Sequence, residues 1–186
     1  ILQAVCSDIS EKNPAILEDW GASVPTAQQL SGIPRIPYDR ALSLLSDRLD
    51  KRVFELTPEG ERELCSWAEA EAGIDAVFVH SFPRKKRPFY TFPNGRKTMS
   101  FDLLFRGLEI TSGGRRINDY SKLTENIVRS GLDPADMEDY LSVFRYGCPP
   151  HGGFAIGLER LTQQLLGLAN IKEASLFPRD RRRIRP

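Results

Sequence analysis

The chain has 186 residues, a formal net charge of +1, and 40% hydrophobic against 27% charged residues. This length and composition predict one globular domain with a sizeable core and exclude an intrinsically disordered chain. The near-neutral charge excludes the global attraction to nucleic acid that a strongly basic domain has. The sequence has neither an apolar run of roughly 20 residues, as a membrane span needs, nor a recognisable leader, so we expect a cytoplasmic protein without membrane contacts.

Three cysteines, Cys6, Cys65 and Cys148, are odd in number and far apart. They form no CxxC pair, which argues against a disulfide framework and a zinc site, so we interpret them as reduced thiols. The first residue is Ile1 and not methionine, which indicates that the sequence begins inside a longer gene product.

The first half of the chain has the pattern of helices. The segment from Ile1 to about Arg35 is mixed and interrupted by prolines, which predicts one short helix and then an extended connection. Apolar residues recur at helical spacing from Tyr38 onward. A further helix is predicted from Pro58 to about 71, because Thr57 before it is a good N-cap and proline suits the first helical position.

Strands dominate the second half. Aromatic and β-branched residues predict strands at 76–80, 89–92 and 99–112. Glycine-rich 152–157 predicts one more. Because consecutive strands are joined by short connections, the fold class is predicted to be α+β, with an antiparallel sheet flanked by helices.

Three helices are predicted around these strands. One spans about 121–129, and one spans about 133–147 with an apolar face that we expect to pack on the sheet. The last spans 158–166, with three leucines predicted to face inward: Leu158, Leu161 and Leu165.

The stretch MSFDLLFRGLEITSGGRR predicts a hairpin whose two-residue turn is Arg106-Gly107. This register places the carboxylates of Asp102 and Glu109 on one face, about 7–8 Å apart at the backbone. Together with the hydroxyl of Ser112 they form a set of hard oxygen ligands that suits Mg²⁺. A solvated face of a surface hairpin would show the same spacing.

Glycines and arginines follow this hairpin. Gly113 and Gly114 let the backbone approach a ligand closely, and Arg115 and Arg116 come next. Arginine offers a bidentate fork to a carboxylate or a phosphate, so the stretch suits an amino acid together with a nucleotide. A pair of surface salt bridges is the alternative.

The run HGGFAIGLERL combines a small-residue strand with a helix that starts at once. Small side chains leave room for a flat ligand, and Arg160 in the first helical turn can reach over it to a phosphate. The alternative is that the glycines only permit tight packing of the helix on the sheet.

These stretches resemble consecutive parts of one family. GGFAIGLERL looks like motif 3 of class II aminoacyl-tRNA synthetases, and FDLLFRGLEITSGGRRI, RPFYTFP, FRYGCPPHGGF and SLFPRDRRRIRP resemble aspartyl-tRNA synthetases of the archaeal and eukaryotic cytosolic type. The resemblance implies that 33–186 is the C-terminal part of a class II catalytic domain, with 1–32 as a connecting segment. It also implies ATP and Mg²⁺, activation of aspartate as an adenylate, and transfer to tRNA.

The resemblance implies roles on the nucleotide side. The Mg²⁺–ATP positions of the family are matched by Asp102, Glu109 and Ser112, the set that the hairpin pattern also groups. Arg160 matches the motif 3 arginine at the ATP γ-phosphate and adenine, so Arg160 and Glu109 are the expected catalytic residues. Two motif 3 glycines complete the expected ATP-binding set: Gly153 and Gly157.

On the amino-acid side, Arg116 matches the arginine that grips the side-chain carboxylate of aspartate. Arg87 matches a basic position near the same pocket. An arginine at the position of Arg116 serves aspartate and asparagine relatives alike, although the ending SLFPRDRRR favours aspartate.

Motifs 1 and 2 and the anticodon-binding domain of the family are not found in this sequence. We therefore expect an N-terminally truncated catalytic domain that forms a homodimer or associates with a separate N-terminal part. Three functions are consistent with the residues: a tRNA-charging half-site, an inactive paralogue that acts as a binding module, and an amide ligase that uses the same adenylate without tRNA.

Overall fold

The computed structural model describes residues 1–185. Its strands are Arg35–Pro37 (β1), Ala76–His80 (β2), Pro93–Asn94 (β3), Lys97–Thr98 (β4), Ser100–Phe105 (β5), Leu108–Arg115 (β6) and Gly152–Ile156 (β7). Five of them form one sheet in the order β1-β2-β5-β6-β7, and β3 pairs with β4 separately.

The α-helices are Leu2–Lys12 (α1), Pro14–Asp19 (α2), Ala27–Ser31 (α3), Tyr38–Arg48 (α4), Pro58–Ala72 (α5), Tyr120–Arg129 (α6), Glu138–Arg145 (α7) and Leu158–Leu166 (α8). Short 3-10 helices lie at Arg84–Lys86, Pro134–Met137 and Ile171–Ala174. Among residues 1–185, no helix is long and apolar enough to cross a membrane.

The predicted α+β class is confirmed. Neighbouring strands from β2 to β7 in the large sheet pair antiparallel. The edge strand β1 is different, because it pairs parallel to β2 through the crossover formed by α4 and α5. The sequence did not predict this parallel pair, since β1 is only three residues long, follows Pro34 and itself ends at Pro37.

Helices α4 and α5 form as predicted and cover one face of the sheet. The side chain of Thr57 accepts a hydrogen bond from the backbone N–H of Gly60, so the predicted cap is present. Leu45 and Leu64 from the two helices pack against Val79 of β2 and bury that half of the face.

The opposite face carries a second core. Leu103 and Ile110 of the hairpin pack against Leu161 and Leu165 of α8, as predicted for those two leucines. The third prediction for α8 is wrong, because Leu158 is 70% exposed.

Helix α1 also packs on this second core, through Cys6. The prediction of one short helix in this part of the chain is wrong, since the structure has three. Pro14 does not interrupt the helices but occupies the first position of α2. Thr26 and Gln29 form a capping box that starts α3.

The predicted strand at 89–92 is also wrong. The backbone N–H of Thr91 donates to the carbonyl of Pro88 in a turn, and Thr91 forms only an isolated bridge with Arg116. The aromatic rings of this segment pack around Ile117 instead. Aromatic enrichment here reflects ring burial and not strand pairing.

The predicted helix at 133–147 begins as a 3-10 turn at Pro134 and becomes α-helical at Glu138. Its buried Leu141 and Phe144 share a third core with α6 and the aromatic segment. The main partner of this apolar face is therefore α6, and the expectation that it packs on the sheet is wrong.

The reactivity of the three cysteine thiols should follow their burial, which differs between Cys148 and the other two. Cys65 is buried, and desolvation raises its pKa from 9.0 to about 12, while burial also raises the pKa of Cys6 against the opposing charge of Arg106. Because the thiolate is the nucleophile, Cys65 should react with iodoacetamide at pH 8 on the order of a thousandfold more slowly than an unperturbed thiol. Mass spectrometry should find half-buried Cys148 labelled first, and labelling of all three at one rate in the folded chain would contradict this.

Candidate active site

The β5–β6 hairpin turns at Arg106-Gly107, as predicted, with φ of +50° and +78° at the two residues. Leu104 pairs with Glu109, but the register then shifts by one residue, so that Asp102 lies opposite Ser112. The bulged residue brings Ser112 onto the same face as both carboxylates. An unbroken register would have turned the hydroxyl of Ser112 to the other side of the sheet.

Arg106 anchors this hairpin, although the sequence only indicated a turn residue. Its guanidinium donates to the Asp75 carboxylate at 2.9 Å, to the carbonyl of Gln164 at 2.6 Å and to that of Ser23 at 2.7 Å. One side chain thus ties the turn to α8, to the segment before β2 and to the connection between α2 and α3. Glycine is needed next to it, because a Cβ on Gly107 would lie 2.5 Å from a carbon of Arg62.

Arg87 makes the closest contact in the site. Its guanidinium lies 2.5 Å from Asp102 Oδ2 and donates to Ser112 Oγ at 3.3 Å. The side chains of Arg87 and Asp102 are only 11% and 6% exposed. Asp102 Oδ1 is also buried, and among residues 1–185 it has no hydrogen-bond partner. The sequence analysis placed Arg87 near the amino-acid pocket and did not predict this pair. One oxygen of the Asp102 carboxylate is bound to Arg87, and the other has no partner among the described residues.

Glu109 and Arg160 meet further along the hairpin. Arg160 Nη1 donates to the backbone carbonyl of Glu109 at 2.7 Å and lies 3.7 Å from its carboxylate. Burial raises the pKa of Glu109, the charge of Asp102 raises it further, and Arg160 opposes them. Glu61, near the start of α5, also has a raised pKa, because the effect of burial exceeds the opposing effect of the Glu109 backbone. Glu61 is a third acid at this end of the site that the sequence did not single out.

The glycines of the site differ in whether a side chain would fit at their positions. A Cβ on Gly114 would lie 2.7 Å from the carbonyl of Met99, so this glycine serves close strand packing. Gly153, opposite Gly114 on β7, would meet no atom within 4 Å. A Cβ on Gly157 would lie 3.4 Å from the Arg160 side chain, which is ordinary contact. Close packing therefore explains Gly114 and leaves Gly153 facing open space.

A cleft of about 360 Å³ opens over these strands, and its lining includes Arg87, Ser112, Arg116 and Gly153. Arg116 lies one residue beyond the far end of β6, with its guanidinium 4.7 Å from the centre of the Tyr90 ring. The predicted residues thus follow β6 in order: Glu109 with Arg160 near the turn, Ser112 with Arg87 and Asp102 in the middle, and Arg116 at the end.

The oxygen atoms of the middle region fit a divalent cation. A buried carboxylate oxygen without a partner, as at Asp102 Oδ1, carries an uncompensated desolvation cost. Within residues 1–185, no three His, Cys, Asp or Glu side chains converge as a metal site. Mg²⁺ characteristically takes one or two carboxylates and completes its shell with substrate phosphates and water, so the donor set of Asp102, Glu109 and Ser112 is compatible with it.

The fold is that of a class II aminoacyl-tRNA synthetase catalytic domain. Asparaginyl-tRNA synthetase of Pyrococcus horikoshii superposes with a TM-score of 0.83 at 31% identity, over 100% of this chain and 46% of that one. Aspartyl-tRNA synthetase of Entamoeba histolytica gives 0.78 at 37% identity, over 83% and 33%. The profile of the family described as tRNA synthetases class II (D, K and N) matches residues 1–181, and the chain belongs to this family.

Two bacterial relatives are more similar in sequence than these solved structures, and both are aspartate–tRNA(Asp/Asn) ligases. The chain is 51% identical to aspartate–tRNA(Asp/Asn) ligase of Thermus thermophilus, over 89% of this chain and 39% of the relative. It is 44% identical to the enzyme of the same name from Deinococcus radiodurans, over 100% and 45%. The chain therefore spans less than half the length of these relatives.

Proposed function

We propose that this chain is part of an enzyme that activates aspartate with ATP as aspartyl-adenylate and transfers it to tRNA. The observation that carries the proposal is the ordered row of arginines and acids along β6, above a strand whose Gly153 faces open space. The 51% identity to an aspartate–tRNA ligase supports the same activity. Residues 33–186 would form the C-terminal part of the catalytic domain, with 1–32 as its connecting segment.

The chemistry requires charge compensation and alignment more than a protein nucleophile. When the α-carboxylate of aspartate attacks the α-phosphorus of ATP and displaces pyrophosphate, two anions approach each other, so fixed cations lower the barrier. Arg116 would hold the side-chain carboxylate of aspartate with its planar fork. Arg160 would hold the nucleotide, whose flat base has room over Gly153.

Asp102, Glu109 and Ser112 would hold Mg²⁺ together with phosphate oxygens of ATP. Bound there, the ion would neutralise phosphate charge that the arginines leave uncompensated. Arg87 would hold the Asp102 carboxylate in a fixed position, because it binds one carboxylate oxygen and leaves the other without a partner among the described residues.

ATP–pyrophosphate exchange tests the proposal. The intact gene product that carries this chain should exchange with aspartate and not with asparagine. The names of the two bacterial relatives include both tRNA(Asp) and tRNA(Asn), so charging of each should be measured separately. Exchange without charging of either tRNA would favour the amide ligase, and ATP binding without exchange would favour a binding module. A homodimer or an association with an N-terminal part would show in sedimentation.

Substitution of Glu109 should separate stability from binding. Its pKa is raised in the folded state by burial and by Asp102, so this group favours folding at low pH and loses that contribution as pH rises through the raised pKa. Glu109→Gln should therefore raise the melting temperature at pH 7, with little change at pH 4. The same variant should weaken Mg²⁺–ATP binding about tenfold or more, since it removes a charged ligand.

Thermal melts at the two pH values and ATP titrations with Mg²⁺ measure both effects. Glu125→Gln, at an exposed position of α6, is the matched control and should change neither. Unchanged ATP affinity in Glu109→Gln would remove Glu109 from the proposed site.

A further inference from the structure

A second cavity shares Arg87 and Pro88 with the cleft. It has a volume of about 490 Å³, and we call it the basic cavity. Its cationic lining consists of Arg84, Lys85, Arg87 and Arg129. None of the described residues that line it is acidic. Arg87 and Pro88 line both this cavity and the cleft, so the two spaces adjoin.

Among the described residues, the cations of the basic cavity have no carboxylate partner, apart from Arg87. Within residues 1–185, neither Arg84, Lys85 nor Arg129 has a carboxylate oxygen within 4.0 Å. Lys86, by contrast, pairs with Glu55 at 2.9 Å. A concave surface lined by charges of one sign focuses its field and attracts ions of the opposite sign.

Arg84 is held in place by a buried amide. Its guanidinium donates to Asn126 Oδ1 at 2.5 Å, and the amide nitrogen of Asn126 donates to the carbonyl of Phe89. Asn126 lies on α6 and is buried. Because this arginine is already ordered, binding an anion costs less side-chain entropy than it would with a mobile arginine.

One opposing effect is the C-terminus of α6, which lies beside the cavity at Arg129 and Ser130. A helix C-terminus is equivalent to about half a negative charge, and its effect fades within a turn. Three full positive charges outweigh it, so the net field of the basic cavity favours an anion.

We infer that the basic cavity is a phosphate-binding site that takes backbone phosphates of the RNA strand whose end enters the cleft. Arginine and lysine donors without carboxylate partners suit phosphate oxygens, and they read charge and not base sequence. The choice of RNA rests on the proposed function, since the cleft next to the cavity would receive the acceptor end. Free pyrophosphate offers the same chemistry and is the other source to test.

The test compares two charge-matched double variants of the intact gene product. Lys85→Ala with Arg129→Ala removes two exposed cations of the cavity, and Arg40→Ala with Lys122→Ala removes two exposed cations outside its lining. Binding of a labelled RNA hairpin with a single-stranded 3′ end is followed by fluorescence anisotropy across salt concentrations. Circular dichroism confirms that each variant is folded.

The cavity variant should bind the hairpin about tenfold more weakly, and its slope of log affinity against log salt should fall by about 1.5, as two lost phosphate contacts predict. The control variant should keep the wild-type slope. ATP–pyrophosphate exchange, which needs no RNA, should be unchanged in both, so failure of the proposed function would appear there in the unmodified protein.

Equal losses of hairpin affinity in the two double variants, or no loss in either, would contradict the assignment of a phosphate-binding site to the basic cavity. A parallel pyrophosphate titration distinguishes the two sources of phosphate. Weaker pyrophosphate binding in the cavity variant, with hairpin affinity unchanged, would overturn the assignment to RNA. Arg129→Glu in place of Arg129→Ala should enlarge the loss of hairpin affinity, because it adds a negative charge to the cavity. An unchanged loss would also contradict the inference.

Discussion

Replacing Arg87 with alanine should lower the free energy of unfolding by about 3–5 kcal/mol, the cost of removing one partner of a buried ion pair. The substitution leaves the Asp102 carboxylate buried without its arginine, and both side chains are nearly inaccessible to compensating water. It also removes the guanidinium from the Phe82 ring, whose centre lies 3.7 Å away. Urea denaturation followed by circular dichroism measures the change.

The matched control is Arg48→Ala, which removes an arginine from Glu63 at the same distance of 2.5 Å. That pair is 38% and 27% exposed, so its loss should cost less than about 1 kcal/mol. Adding Asp102→Asn to Arg87→Ala should recover part of the lost stability, because the second change removes the stranded charge. Equal costs for Arg87→Ala and Arg48→Ala would contradict the account of the buried pair.

The hairpin was predictable because each of its signals is local. Arg106-Gly107 between two apolar runs sets the turn, and the two-residue period of the strands then places Asp102 and Glu109 on one face. The register shift has no comparable signal. It is energetically worthwhile because Ile110 is buried in the second core, which depends on α8 more than 40 positions away. The position of Ser112 opposite Asp102 is therefore a tertiary result.

The Arg87–Asp102 pair has the same origin. The two residues lie 15 positions apart. The 3-10 turn at Arg84–Lys86 and the burial of Phe82 bring the arginine back over β5, and neither is visible in a periodic pattern. The family resemblance indicated that a basic residue is expected at position 87, but it did not indicate that this residue pairs with Asp102.

Local patterns failed where a residue's type and its environment diverge. The segment 89–92 has the composition of a strand, yet Pro88 begins a turn and the rings serve a separate core. Leu158 fits the helical stripe of α8 but lies at its first position, beyond the edge of that core. Such exposed apolar residues are common on protein surfaces and carry no local warning.

The roles of the cleft residues remain predictions, and Arg116 is their sharpest test. Arg116→Ala should reduce aspartate-dependent ATP–pyrophosphate exchange by about 100-fold or more, on the scale of a lost charged contact in a water-poor site. ATP binding should be unchanged, because Arg116 lies at the opposite end of β6 from Glu109 and Arg160. Exchange kinetics with varied aspartate, and ATP titrations without aspartate, separate the two effects.

Arg115→Ala is a control with the same charge change one position away. Arg115 stacks on Phe92, 3.9 Å from the ring centre, while Arg116 lies over Tyr90. Arg115 also lines the cleft, but adjacent residues of a strand point to opposite sides, so Arg116 and not Arg115 continues the face of Ser112. A side-specific role predicts that Arg115→Ala keeps most of the exchange activity and that Arg116→Lys recovers little, since lysine lacks the planar fork. Equal losses in the two alanine variants would instead mean that the arginines act through their summed charge, and the assignment of Arg116 to aspartate would fail.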